Sequence, residues 1–306
     1  MPENLQPLEM QKEALAEKLK LKDQWQEQVK ALNETGVLEL LAEAQDIGIV
    51  DLRGRECPVP QVVDILANIT PENLELLEQK AEQGFTKLLL VPIGLPLNIL
   101  TERYKQTLLQ HDTEGTLLST DGTKLELNRE DPLYIWEDYH QADIEGKLVY
   151  FPTQFTKENH QGQTKDEFIN QQGAWQVLLI EDLPDLPGEG QGQVIGERKQ
   201  LEANQTSTQY LKKMQEDPQY QSEQGFTPEA WLTLAITELQ TKKRQIDNYH
   251  GQGKASFLTG AWFPASGLVP HGCFYRVVCQ AYLDGRSPDV HYSDFSCRSS
   301  AEIKRP

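Results

Sequence analysis

From residue 268 to residue 300 the chain all but abandons five residue types that it uses freely elsewhere. Gln, Glu, Lys, Met and Trp make up 88 of the 306 residues, so a 33-residue stretch would hold nine or ten of them; this one holds a single residue, Gln280. In their place stand aromatics, Cys, Asp, Ser, Arg, Gly and Val without period: H-G-C-F-Y-R-V-V-C over 271–279 and D-V-H-Y-S-D-F-S-C over 289–297. The five scarce types are the ones that an Asn codon, AAC or AAT, cannot become when its adenines are randomised. A stretch whose side chains are interchangeable cannot be the source of its domain's folding energy. The core must come from elsewhere, and the mixed residues belong on a surface.

Length allows one large core or two ordinary ones. A net charge of −18 and a pI near 4.8 argue against a nucleic-acid interface, which needs clustered Lys and Arg. No apolar run approaches the roughly 20 residues that span a bilayer. The start, M-P-E-N-L-Q-P-L-E-M, lacks the basic and apolar regions of a secretory signal, so the expected compartment is the cytoplasm, with export left open.

Residues 7–33 read as one helix, with Leu15, Leu19, Trp25, Val29 and Leu32 on its apolar face. It packs on its own domain or, alternatively, mediates self-association. Strand and helix signals then alternate: a strand at 50–52, a helix opened by Thr70-Pro71-Glu72, a strand at 87–91 and a helix at 97–109. The Asp121-Gly122 pair predicts a hairpin between 116–119 and 124–127. A second domain is expected near Lys147, with strands at 148–151 and 175–180 and a Pro- and Gly-rich loop at 183–192. Thr227-Pro228-Glu229 opens another helix, with Trp231, Leu234, Ala235 and Leu239 along one face. Beyond Gly251 only short strands and turns are legible.

Four constellations carry candidate chemistry. Cys57-Pro58-Val59-Pro60 resembles the Cys-Pro-x-Pro motif of small sulfur-carrier proteins. A thiol at a strand-to-helix turn would be activated there, but a structural turn is the plainer reading. His271, Cys273, Cys279, His291 and Cys297 lack the Cys-x-x-Cys knuckle of structural zinc sites, so no metal and no cofactor are expected. A disulfide among these cysteines is an alternative that a reducing compartment disfavours. The acid–histidine pairs Asp138–His140 and Asp289–His291 have no nucleophile motif near them, and phosphate-loop, dinucleotide and zinc-protease motifs are absent. The chain gives no positive sign of an enzyme.

G-F-T-P-E-A-W-L-T-L-A-I-T-E-L (225–239), I-D-N-Y-H-G-Q-G-K-A-S-F-L-T-G-A-W-F-P-A-S-G (246–267), V-P-H-G-C-F-Y-R (269–276), Q-A-Y-L (280–283) and C-R-S-S-A (297–301) together resemble the C-terminal domain of diversity-generating-retroelement variable proteins. G-E-R-K-Q-L-E-A-N-Q-T (196–206) adds to the likeness, which covers roughly the second half of the chain. The resemblance implies an α+β chain: a C-type-lectin-like domain of the formylglycine-generating-enzyme branch at 146–306, behind a smaller helical and α/β module at 1–145. It implies a non-enzymatic binding protein, whose variable side chains a reverse transcriptase rewrites at template adenines, with another protein as the expected ligand.

On that reading the contact positions are His271, Cys273, Tyr275, Val277, Val278, Tyr282, Asp284, Arg286, Asp289, His291, Tyr292, Asp294 and Phe295. Arg276, Gln280, Arg298 and Ser299 fall with the scaffold. Trp262, Phe263, Pro264, Val269, Pro270, Ala281 and Leu283 supply the fixed core. The triplets of calcium-dependent sugar-binding lectins are absent, as is the cysteine context of the oxygen-dependent enzymes. Calcium, carbohydrate and oxidase chemistry are therefore not carried over. The alternatives are a formylglycine-generating-type oxidase using Cys273 or Cys279, and sulfur transfer through Cys57.

Overall fold

A computed structural model describes residues 7–303; residues 1–6, part of the stretch read above for a signal, and residues 304–306 lie outside it. Eight α-helices are present among the described residues: α1 (Leu8–Lys18), α2 (Leu21–Glu34), α3 (Val62–Ala67), α4 (Pro71–Glu82), α5 (Leu97–Glu114), α6 (Lys165–Gln172), α7 (Ser207–Glu216) and α8 (Pro228–Lys242). With the sheets described below they make the protein α+β. No helix among the described residues is long and apolar enough to cross a membrane.

The single helix expected over 7–33 is two. The chain breaks at Lys20, which takes a left-handed conformation (φ 52°) without glycine or proline to announce it. The helices opened by Thr-Pro start where expected: Thr70 and Thr227 each accept the backbone N–H three residues on, from Asn73 and Ala230. α8 differs from its expected one-sided form. All its residues from Pro228 to Leu239 are buried, because α5, α2 and the strand Phe85–Val91 pack around it. The expected hairpin at 116–127 is only a tight turn, closed by an isolated bridge between Leu118 and Lys124.

A four-stranded antiparallel sheet runs in the order Glu223–Gly225, Ser299–Glu302, Gln176–Glu181, Phe85–Val91. A second sheet runs Phe295–Cys297, Ala255–Phe257, Val269–Tyr275, Gln280–Arg286, Leu133–Ile135, with Asn248–Tyr249 also pairing on Val269–Tyr275. Each of these sheets takes an edge strand from the first 145 residues. One cluster of buried apolar side chains extends from Leu15 to Ile303. The boundary expected at 145/146 therefore cuts through shared sheets and a shared core.

Candidate functional site

The antiparallel pair Val269–Tyr275 and Gln280–Arg286 forms the centre of the compositionally odd stretch. Its register sets His271 opposite Asp284, Cys273 opposite Tyr282 and Tyr275 opposite Gln280. Side chains alternate across a strand, so His271, Cys273, Tyr275, Tyr282, Asp284 and Arg286 share one face. In the second strand the alternation is clean. Tyr282, Asp284 and Arg286 are half-exposed, whereas Ala281, Leu283 and Gly285 are buried. The first strand is buried on both faces as far as Phe274. A Cβ on Gly272 would stand 2.5 Å from the Trp231 ring, and one on Gly285 would stand 2.7 Å from Trp136, so both positions need glycine for close approach.

The thirteen expected contact residues separate by depth. Val277 and Val278 at the hairpin tip are exposed, as are Asp289 and His291 in the following loop. Tyr275, Tyr282, Asp284, Arg286, Tyr292 and Asp294 are half-buried. His271, Cys273 and Phe295 differ from expectation: they are sunk, at 2%, 3% and 4% exposure. Cys273 and Phe295 join Val149, Phe257, Trp262 and Val269 in a second apolar cluster beneath the surface, and the His271 ring lies 5.0 Å from Phe295. These three are the floor of the surface and not its contact layer.

Ring contacts run across this surface. Tyr134 lies 4.9 Å from Tyr282, Tyr282 lies 5.7 Å from Tyr275, and Tyr275 lies 5.1 Å from Tyr249 and 5.3 Å from the His250 ring. Beneath the path, buried Phe295 lies 5.8 Å from Tyr249 and 4.9 Å from Tyr292. Tyr134, Tyr249 and His250 were missed in the sequence because they lie outside the compositional window. The tyrosines in N-Y-H-G and P-L-Y-I were the only available signal.

Charges on this face are largely paired. Arg286 donates to Asp284 at 2.6 Å and Lys254 to Asp294 at 2.7 Å. Asp289 accepts from the Thr208 hydroxyl, and His291 meets the Asn204 carbonyl at 2.7 Å. These two residues thus turn to different partners rather than to each other. Burial, and after it Arg286, depresses the pKa of His271 to about 3. Burial also pushes the Cys273 thiol far up, and it pushes the Cys279 thiol up with help from Glu126.

The expected scaffold residues are mostly held from below. Arg298 is buried and paired with Asp247 at 2.6 Å; Asp247 also accepts from the Trp231 indole. Ser299 donates to Glu223, and Gln280 to Asp131, each at 2.6 Å. Arg276 is half-exposed and lines a separate small cleft with Lys124, Glu126 and Cys279 on the opposite side of the hairpin.

Cys57 is not at a helix entry. It lies in the strand Glu56–Pro58, four residues before the N-cap of α3, and its sulfur faces the Asp51 carboxylate at 3.9 Å. Cys273, Cys279 and Cys297 form no disulfide among the described residues, and no group of three or more His, Cys, Asp or Glu among them is placed to hold a metal ion. Compared with protein-family models, curated proteins and solved structures, the chain matches none.

Proposed function

We propose that this is a non-enzymatic binding protein of the diversity-generating-retroelement type. Its residues 268–297 form a diversified recognition surface on a C-type-lectin-like frame, and its ligand is another protein. One coincidence carries the reading. The codon-limited stretch falls on a hairpin arm whose alternate residues, Tyr282, Asp284 and Arg286, face outward while Ala281, Leu283 and Gly285 pack inward. Such an arm can exchange its outer residues without disturbing the core. Exposed Tyr, Arg and His offer large contact area at modest entropic cost.

The oxidase alternative needs a thiolate, because the thiolate is the reactive form of cysteine. Burial holds the Cys273 thiol protonated, and Cys279 is pushed in the same direction. Neither observation favours it.

The deciding measurement is genomic. A near-copy of the DNA for residues 268–300 is expected beside a reverse-transcriptase gene. It should differ at adenines in codons such as those of Tyr282, Asp284 and Asp289, but not in those of Ala281 and Leu283. Sibling genes whose differences spread evenly over residues 146–300 would remove the proposal.

A further inference from the structure

The aromatic path extends past the diversified stretch at both ends. Tyr134 lies on the edge strand Leu133–Ile135, in register with Tyr282. Tyr249 and His250 lie in and just after the short strand Asn248–Tyr249, against Tyr275. None of the three belongs to the window with the restricted alphabet, so rings from outside the window bracket those within it. Tyrosine faces attract cations through the ring quadrupole. The surrounding charge has the matching sign. Among the described residues, the cations of this face, Arg286 and Lys254, are each taken up by an aspartate. The Asp131 carboxylate, beside Tyr282, accepts from the Gln280 amide and meets no cation among the described residues. Burial above all pushes the phenols of Tyr249 and Tyr282 up, and Asp294 and Asp131 respectively add to it.

We infer that Tyr134, Tyr249 and His250 are ligand contacts that do not vary, and that together with Asp131 they fit the surface to protein segments presenting Lys or Arg side chains. The inference rests on the display reading but not on how its diversity arises. The fixed rim supplies a class preference, and the diversified residues choose among members of that class.

The test uses the full chain and two fluorescent nonapeptides, one all arginine and one all glutamate, with binding read by anisotropy at physiological salt. The arginine peptide binds and the glutamate peptide does not. Tyr134→Leu weakens binding about two- to five-fold, the range of one exposed cation–π contact, and His250→Ala weakens it as well. Asp131→Asn weakens it, whereas Glu13→Gln, the same charge change on α1, leaves it unaltered. Absence of arginine-peptide binding overturns the inference. So does equal binding by wild type, Tyr134→Leu and His250→Ala, which would assign the attraction to the overall charge of −18. A negative result here leaves the genomic test of the display reading untouched, so the two can fail separately.

Discussion

His271 shows how burial overrode the sequence reading. A histidine in a mixed, aromatic-rich stretch reads as a contact residue, yet the ring lies against Phe295 at 5.0 Å and its Nδ1 has no hydrogen-bond partner among the described residues. Its pKa falls from 6.5 to about 3 on folding. Above pH 6.5 neither state holds the proton, and stability is complete. As pH drops from 6.5 toward 3 the unfolded chain takes up a proton that the folded chain refuses, so stability falls. The urea midpoint of the wild type should therefore decline across that window. His271→Gln should decline less steeply, with His111, depressed in the same direction by burial, keeping part of the slope. Identical slopes would mean that His271 is protonated in the fold. The apolar neighbours were legible: Trp262, Phe263, Val269, Ala281 and Leu283 are buried as expected. The sunken His271, Cys273 and Phe295 were not, because the cover over Val269–Tyr275 comes from elements distant in the chain.

Among the elements, α2 does something that no periodicity announces. The strand Phe85–Val91 is a sheet edge, and two glutamines one helical turn apart satisfy its free backbone groups. Gln24 donates to the Thr86 carbonyl and accepts from the Leu88 N–H, both at 2.8 Å. Gln28 donates to the Leu88 carbonyl and accepts from the Leu90 N–H at 2.9 Å. An amide side chain thus stands in for a neighbouring strand and closes an edge that would otherwise invite pairing with another chain. Gln28→Ala should cost about 2–6 kcal/mol, since it strands two buried backbone groups at about 1–3 kcal/mol each, as read by chemical denaturation. A loss below about 0.5 kcal/mol would show that water replaces the amide. Elements with local signals, such as the Thr-Pro openings of α4 and α8, were legible. α6 and α7 also carried a signal, Thr164 with Glu167 and Thr206 with Gln209, that marks a capping box and went unread. The break at Lys20 had none.

At the scale of the whole molecule, the two expected modules are interlocked. Phe85–Val91 pairs along six residues with Gln176–Glu181, a contact across some ninety positions that local patterns cannot reveal. Buried charges join the same halves. Lys165 binds Asp143 at 2.7 Å and Glu229 at 2.8 Å, while Lys80 and Arg198 share Glu223. Removing one partner of a buried pair leaves an uncompensated charge, at about 3–5 kcal/mol. Residues 146–306 expressed alone should therefore lack a cooperative thermal transition and near-ultraviolet circular dichroism, where the full chain has both. A sharp transition in the fragment would support the two-domain division. The hairpin at the centre of the surface has a further consequence, because its arms tolerate change unequally. On Gln280–Arg286 the outward positions Tyr282, Asp284 and Arg286 meet water and tolerate replacement at little thermodynamic cost, whereas on Val269–Tyr275 nearly every replacement strikes packed neighbours. Descendants of this gene should accordingly drift apart quickly along one arm and remain near their ancestor along the other.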